Sequence, residues 1–314
     1  MYMRTKICCI AMFFLLLATS AAKGTEKLVL MLDWFPNVDH VPIYAAIESG
    51  FFEKRGLFVE IQSPSDSADP LKLAAAGHAD IALSYEPQIL IAASEGIPLK
   101  ALGKLIGTPL TTLLFLETSG IRVPSDLEGK TIGYTVPGMM DHLAEAFASV
   151  NAIRNYKLLN VGFSILQSLT SGTADAVMGP FKTYEPVLLE MEGYESRFFE
   201  IDHFGIPTYD ELVFVTGDRT YKEKKESIMN FLAAIDEALV FTAAHPSEAL
   251  ALYFRAVPEA PAEMERTAFD RTLPFFAPDT TLSLDQWETF SEFARTCGMI
   301  EKKVDLNALL VSDR

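Results

Sequence analysis

The sequence predicts an α/β protein of two lobes joined by a hinge that the chain crosses twice. Three observations carry this: a strand, helix, strand pattern near the start, a Gly-x-Ala-Asp pattern at Gly77 and again at Gly172, and a helical C-terminal region after Val215. Chain length agrees. Once a leader is set aside, about 290 residues remain, near the upper limit for a single core and typical of two.

Residues 1–22 read as a signal peptide. Arg4 and Lys6 precede an apolar stretch from Ile7 to Ala18, and Thr19-Ser20-Ala21-Ala22 supplies the small residues a signal peptidase requires. The apolar run falls short of the roughly 20 residues a membrane-spanning helix needs. Cys8 and Cys9 come too early for a lipoprotein cleavage site. An exported, periplasmic protein with no membrane insertion after cleavage is therefore expected. Its one remaining cysteine, Cys297, cannot form an internal disulfide, so stability must come from an apolar core. The formal charge of −16 argues against nucleic acid or an anionic membrane as partner, because both require clustered Lys and Arg.

Leu28 to Leu32 is a continuous apolar run, suited to a strand covered on both faces. Pro42 then stands in the first turn of a helix with Ile43, Ala46 and Ile47 on one face, ended by Gly50, and Leu57 to Ile61 forms the second strand. Ligands of such βαβ units collect beyond the carboxyl ends of the strands, where Asp33-Trp34-Phe35-Pro36-Asn37 falls. In the repeated pattern, glycine stops a helix by taking the left-handed conformation cheaply, and aspartate prepares the next strand. Leu110 to Leu116 is apolar and β-prone, and Glu117-Thr-Ser-Gly120 breaks it. A new strand runs to Tyr134, with a helix from Asp141 to Val150 behind it, and Glu211 to Val215 is a further strand. Crossings are thus expected near 117–120 and 207–216, with lobe one as 23–117 plus 213–314 and lobe two as 118–212. A capping box at Thr220-x-x-Glu223 opens a helix carrying Ile228, Phe231, Leu232, Ile235 and Leu239 in register. Ser283 to Cys297, with Trp287, Phe290, Phe293 and Ala294, forms another helix closed by Gly298, and these helices are assigned to lobe one.

Phosphate loops, dinucleotide turns, zinc-protease helices and nucleophile elbows are missing from the sequence, so no catalytic residues are assigned. The pairs Asp39-His40, Asp141-His142 and Asp202-His203 are adjacent and do not by themselves gather the three or four ligands a metal needs, and no metal or cofactor is expected. Aromatic and polar residues at strand ends are more informative. Trp34 and Asn37 follow the first strand, Tyr85 and Glu86 the strand of the first repeat, and Tyr134 the first strand of lobe two. Phe181, Tyr184 and Glu185 follow the second repeat, and Tyr209 and Glu211 stand at the return crossing. Facing lobes would bring these ten together as a ligand-binding set: rings stacking on a flat guest, carboxylates accepting from its amino groups. Structural roles compete. Trp34 suits lobe packing, Asn37 a turn after Pro36, and Glu86 and Glu185 the N-termini of helices beginning at Pro87 and Pro186.

Several segments resemble a known family. They are Asp33 to Asn37 with His40 and Tyr44, Gly50 to Leu57, Ala76 to Ile81, Leu127 to Tyr134, and Pro207-Thr-Tyr209-Asp-Glu211-Leu-Val213. Together they are similar to the thiamine-pyrimidine solute-binding proteins of the NMT1/THI5-like family, which share their fold with fungal pyrimidine synthases. The resemblance implies a type II periplasmic-binding-protein fold and capture of formylaminopyrimidine or hydroxymethylpyrimidine for thiamine biosynthesis. An ABC permease and its ATPase would be the partners. It further implies that Trp34 stacks on the ring and Glu185 accepts from its amino group. Tyr134 and Tyr184 lie where the wording departs from the family pattern, and the final seventy or so residues add little to the resemblance. The rival it implies is a pyrimidine synthase that consumes pyridoxal phosphate and a histidine of its own. In that alignment the synthase lysine falls on Ser84, its histidine on Gln88, and its cysteine cluster in 207–211, where this chain has none. Neither Ser nor Gln can perform those roles. A sulfonate or riboflavin-like ligand is the reading outside the family.

Overall fold

The computed structural model describes residues 25–311. The expected signal peptide at 1–22 lies outside the described residues. In chain order the strands are β1 (Glu26–Met31), β2 (Leu57–Gln62), β3 (Ile81–Ser84), β4 (Leu99–Ile106), β5 (Thr111–Leu116), β6 (Thr131–Tyr134), β7 (Lys157–Asn160), β8 (Ala176–Phe181), β9 (Ser196–Glu200) and β10 (Leu212–Gly217). They form two five-stranded sheets, ordered β2-β1-β3-β10-β4 and β7-β6-β8-β5-β9. The two have one topology: three parallel strands, then an antiparallel strand inserted between the third and the edge. Leu28 and Leu30 of β1, Ile81 to Leu83 of β3 and Leu212 to Val215 of β10 are fully buried, as continuous apolar runs between helical layers should be.

The Gly-x-Ala-Asp repeat has one job in both sheets. Asp80 accepts the backbone N–H of Val29 at 2.9 Å and its own N–H returns to the Val29 carbonyl at 3.0 Å, which locks β3 beside β1. In the other sheet Asp175 accepts from Thr131 N–H at 2.8 Å and donates to the Thr131 carbonyl at 2.9 Å, locking β8 beside β6. Each aspartate also meets a lysine, Lys224 at 2.7 Å and Lys130 at 3.2 Å.

The first crossing lies at residues 107–110, not 117–120. The apolar run of β5 directly follows β4 and reads in sequence as part of lobe one, but β5 pairs with β8 and β9 of the second sheet. The return crossing spans 201–211. The two crossings are tied together by Glu211. Its Oε2 accepts the N–H groups of Leu110 and Thr111 at 2.6 and 2.7 Å, and its Oε1 accepts the Thr111 hydroxyl at 2.9 Å. All three residues are buried. Glu211→Ala would leave those three donors without a partner, and a loss of about 2–4 kcal/mol in denaturant unfolding is expected, each buried donor costing about 1–3 kcal/mol.

The helix Asp218–Ala244 buries Ile228, Phe231, Leu232, Ile235 and Leu239, in the register read from sequence. Its start differs. Gly217 is the N-cap, Thr220 lies inside the first turns, and a kink at Lys224 lets that lysine reach Asp80. The helix Leu284–Thr296 buries Trp287 and Phe290. Assignment of all C-terminal helices to lobe one also needs correction, because Ala262–Thr272 leans on both lobes. It packs against Val38–His40 on one side and against the lobe-two helix Glu185–Met191 on the other.

Candidate functional site

The carboxyl ends of β1, β3, β6 and β8 face one another across a cleft. It is lined from the first lobe by Asp33, Trp34, Asn37, Asp39 and Tyr85, and from the second by Thr135, Ile165, Gly179, Phe181, Tyr184 and Glu185. The enclosed space is about 20 Å³, little more than a water requires and too small as it stands for a six-membered ring. Contacts close the cleft on both flanks. Ser67 donates to the Thr135 carbonyl at 2.7 Å, and the Trp34 ring stands 4.4 Å from that of Phe163, edge to face.

On the first-lobe wall, Asn37 caps the short 3-10 turn Val38–His40, its Oδ1 accepting the Asp39 N–H at 2.8 Å. His40 Nδ1 accepts the Asn37 N–H at 3.3 Å, so its proton resides on Nε2, 3.0 Å from Asp33 Oδ1. The Tyr85 hydroxyl donates to Asp33 Oδ2 at 2.9 Å. Asp33 is thereby held from two sides. Asp39 is buried with a single long contact from the Thr272 hydroxyl at 3.3 Å. Burial first, then the charges of Asp33, Glu185 and Glu265, hold its carboxyl well above the usual carboxylate range.

On the opposite wall, Glu185 opens the helix Glu185–Met191 with Pro186 behind it, and its Oε2 accepts the Phe181 N–H at 2.7 Å. Burial pushes its carboxyl up to about 7 against that hydrogen bond. The Tyr184 hydroxyl donates to Glu265 Oε1 at 2.9 Å, and burial raises Glu265 to about 7 as well. Gly179 has φ +123°, and a side chain there would meet Thr135 Oγ1 at 2.1 Å. Glycine is required both by the backbone and by the closeness of two cleft-lining strand ends. Gly179→Ala is expected to cost about 1–3 kcal/mol of stability and to weaken ligand binding by more than tenfold, read by thermal melts and calorimetry.

Six of the ten residues singled out from sequence therefore meet at the cleft: Trp34, Asn37, Tyr85, Phe181, Tyr184 and Glu185. Four do not. Glu86 is fully buried beneath it, its Oε2 accepting the Asp210 N–H at 2.7 Å. Asp210 in turn binds Lys104 at 3.3 Å, Gln286 at 3.0 Å and Trp287 Nε1 at 2.8 Å, so this network joins the return crossing to β4 and a C-terminal helix. Burial and the neighbouring Asp210 push Glu86 above the usual carboxylate range. Tyr209 is wholly buried with its ring 5.2 Å from Phe290, and Glu211 ties the crossings. Tyr134, the last residue of β6, packs at the edge of the core, and Thr135, just past the strand's end, lines the cleft. Sequence reading missed Asp33 and Asp39 as cleft residues, although Asp33 opens the strand-end segment it singled out and Asp39 stands two residues beyond it. It also missed Glu265, which no local pattern marks.

The geometry can be set beside known proteins. The family model described as NMT1/THI5 like matches residues 37–249. A Haemophilus influenzae protein named for thiamine biosynthesis is 37% identical over 300 residues, covering 94% of this chain and 95% of that one. The formylaminopyrimidine-binding protein of Halalkalibacterium halodurans is 33% identical over 230 residues, 73% of this chain and 70% of that protein. The 4-amino-5-hydroxymethyl-2-methylpyrimidine phosphate synthase of Legionella pneumophila is 26% identical over 297 residues, 93% of this chain and 92% of the synthase. Among solved structures, the alkanesulfonate-binding protein SsuA from Xanthomonas axonopodis pv. citri superposes with a TM-score of 0.73 at 15% identity, covering 92% of this chain and 99% of that one. That likeness establishes the periplasmic-binding-protein fold, two α/β lobes as expected. By extent and by identity, the chain belongs to the NMT1/THI5-like family.

Proposed function

We propose that this protein is the extracytoplasmic solute-binding component of an ABC importer and captures a thiamine pyrimidine precursor of the formylaminopyrimidine or hydroxymethylpyrimidine type. The observation that carries the reading is the cleft lining: Trp34, Tyr85, Phe181 and Tyr184 supply aromatic surface for a flat ring, and Glu185 supplies an acceptor for its amino group. The kinship to a formylaminopyrimidine-binding protein points the same way. Delivery to a permease with its ATPase, and export by residues 1–22, belong to the same proposal.

Two rivals are weakened by residues at the site. In the synthase reading the cofactor lysine and donor histidine would occupy Ser84 and Gln88. Here the Ser84 hydroxyl donates to Gln88 Oε1 at 2.7 Å, a pair with neither an amine to form a Schiff base nor an imidazole to give up. Against a sulfonate, no Lys or Arg lines the cleft among the described residues, whereas three carboxylates do. Native mass spectrometry of protein isolated from its own host, followed by calorimetry, tests the reading. A co-purifying aminopyrimidine and micromolar or tighter binding are expected. An alkanesulfonate in its place, or turnover with pyridoxal phosphate, would overturn it.

A further inference from the structure

Resting on that reading, we propose that the cleft takes its pyrimidine as a cation, protonated on a ring nitrogen. The argument is a count of donors and acceptors. The Tyr85 proton is committed to Asp33 and the Tyr184 proton to Glu265, each at 2.9 Å, so both phenol oxygens can only accept from a guest. Asp33, Asp39 and Glu185 place carboxyl groups on the same walls, and at alkaline pH Glu185, pushed up to about 7, is an ionised acceptor. Against these acceptors the lining offers three neutral donor groups, the Asn37 amide, the Thr135 hydroxyl and the Trp34 indole N–H. A neutral aminopyrimidine brings acceptor nitrogens to a wall that already holds an excess of acceptors. A pyrimidinium turns one of those nitrogens into a donor beside its amino group, and its positive charge meets a carboxylate in a charge-assisted, two-point contact.

Among the described residues, no Lys or Arg lines the cleft to serve as a counter-cation. Helix Ala262–Thr272 contributes Glu265, and the helices Val41–Glu48 and Pro246–Ala256 contribute Tyr44 and Tyr253. His40 is taken up by its neighbours, its Nδ1 accepting the Asn37 N–H at 3.3 Å and its Nε2 meeting Asp33 Oδ1 at 3.0 Å. The nearby basic groups are engaged elsewhere, Lys182 with Glu200 at 2.7 Å and Arg271 with Glu190 at 3.1 Å. A pair of acids that burial pushes upward, Asp39 also by the charges of its neighbours, gains most from a guest that brings the missing charge.

The test uses the wild-type protein and 4-amino-5-hydroxymethyl-2-methylpyrimidine. Calorimetry at alkaline pH in two buffers of different protonation enthalpy should show net proton uptake, and affinity should fall about tenfold per pH unit on the alkaline side. The ultraviolet spectrum of the bound pyrimidine at that pH should be that of its acid form. 2-Aminobenzyl alcohol, flat and amino-bearing without a basic ring nitrogen, should bind about a hundredfold more weakly or worse. Tight binding that is flat across the alkaline range, or proton uptake with the neutral ligand spectrum, would overturn the inference and leave the proposed function standing. Failure of the pyrimidine to bind at any pH would overturn both.

Discussion

Glu185→Ala is expected to weaken aminopyrimidine binding about a hundredfold at neutral pH while leaving stability nearly unchanged. The binding loss follows from removing a buried acceptor that meets a donor on the ligand, a contact of about 2–3 kcal/mol. The stability effect is small because two contributions oppose. Alanine loses the hydrogen bond from Phe181 N–H and the favourable position at a helix N-terminus, about 1 kcal/mol, but it also relieves a carboxyl that burial has pushed up to about 7. The two readings of this residue predict opposite results. A residue that only caps its helix would, when replaced, lower the melting temperature and leave the calorimetric affinity alone.

Without ligand the protein is expected to be more stable near pH 5 than near pH 8. Glu185, Glu211 and Glu265 are each pushed up to about 7, principally by burial. A carboxyl whose folded value lies above its unfolded one binds more protons in the folded state. Its contribution is therefore complete below the ordinary glutamate range and is lost as pH rises through about 7. Each group accounts for up to about 3 kcal/mol, and because they interact the total is on the order of a few kcal/mol. Denaturant titrations at the two pH values measure it. Glu265→Gln should flatten the dependence, because glutamine keeps an acceptor for Tyr184 and does not titrate. A profile that instead rises from pH 5 to pH 8 would mean these carboxylates are better solvated than the burial of their side chains requires.

Much of the architecture is legible in the sequence because it rests on local chemistry. The apolar runs of β1, β3 and β10 and the periodicity of the helix containing Ile228 and Phe231 are patterns that burial imposes on neighbours in sequence. The Gly-x-Ala-Asp repeat was informative for the same reason, since its aspartate acts on the start of the adjacent parallel strand in each sheet. The crossing at 107–110 was misplaced because an antiparallel strand inserted into the second sheet looks, in sequence, like a continuation of the first.

The site was only half legible, and the two Tyr-Glu-Pro segments show why. Tyr85-Glu86-Pro87 and Tyr184-Glu185-Pro186 have the same chemistry, and each opens a helix. In the second lobe β8 runs six residues, Ala176–Phe181, before its helix begins, whereas in the first only the four of Ile81–Ser84 intervene before Tyr85. The longer strand carries Glu185 to the cleft. The shorter one leaves Glu86 beneath it, paired with the backbone of the return crossing. Glu265 belongs to a helix beyond the region matched by the family model, yet it holds Tyr184, and Thr272 of the same helix touches Asp39. A contact between residues so distant in sequence leaves no local signature, and the segment's lack of family resemblance concealed its role in shaping the cleft.

A crystal structure of the complex with 4-amino-5-hydroxymethyl-2-methylpyrimidine tests the central claim most directly. The account predicts the ring between the lobes against Trp34, with its amino nitrogen about 3 Å from a Glu185 carboxylate oxygen. A ligand seated elsewhere, or a ring in the cleft whose amino group faces away from Glu185, would contradict it.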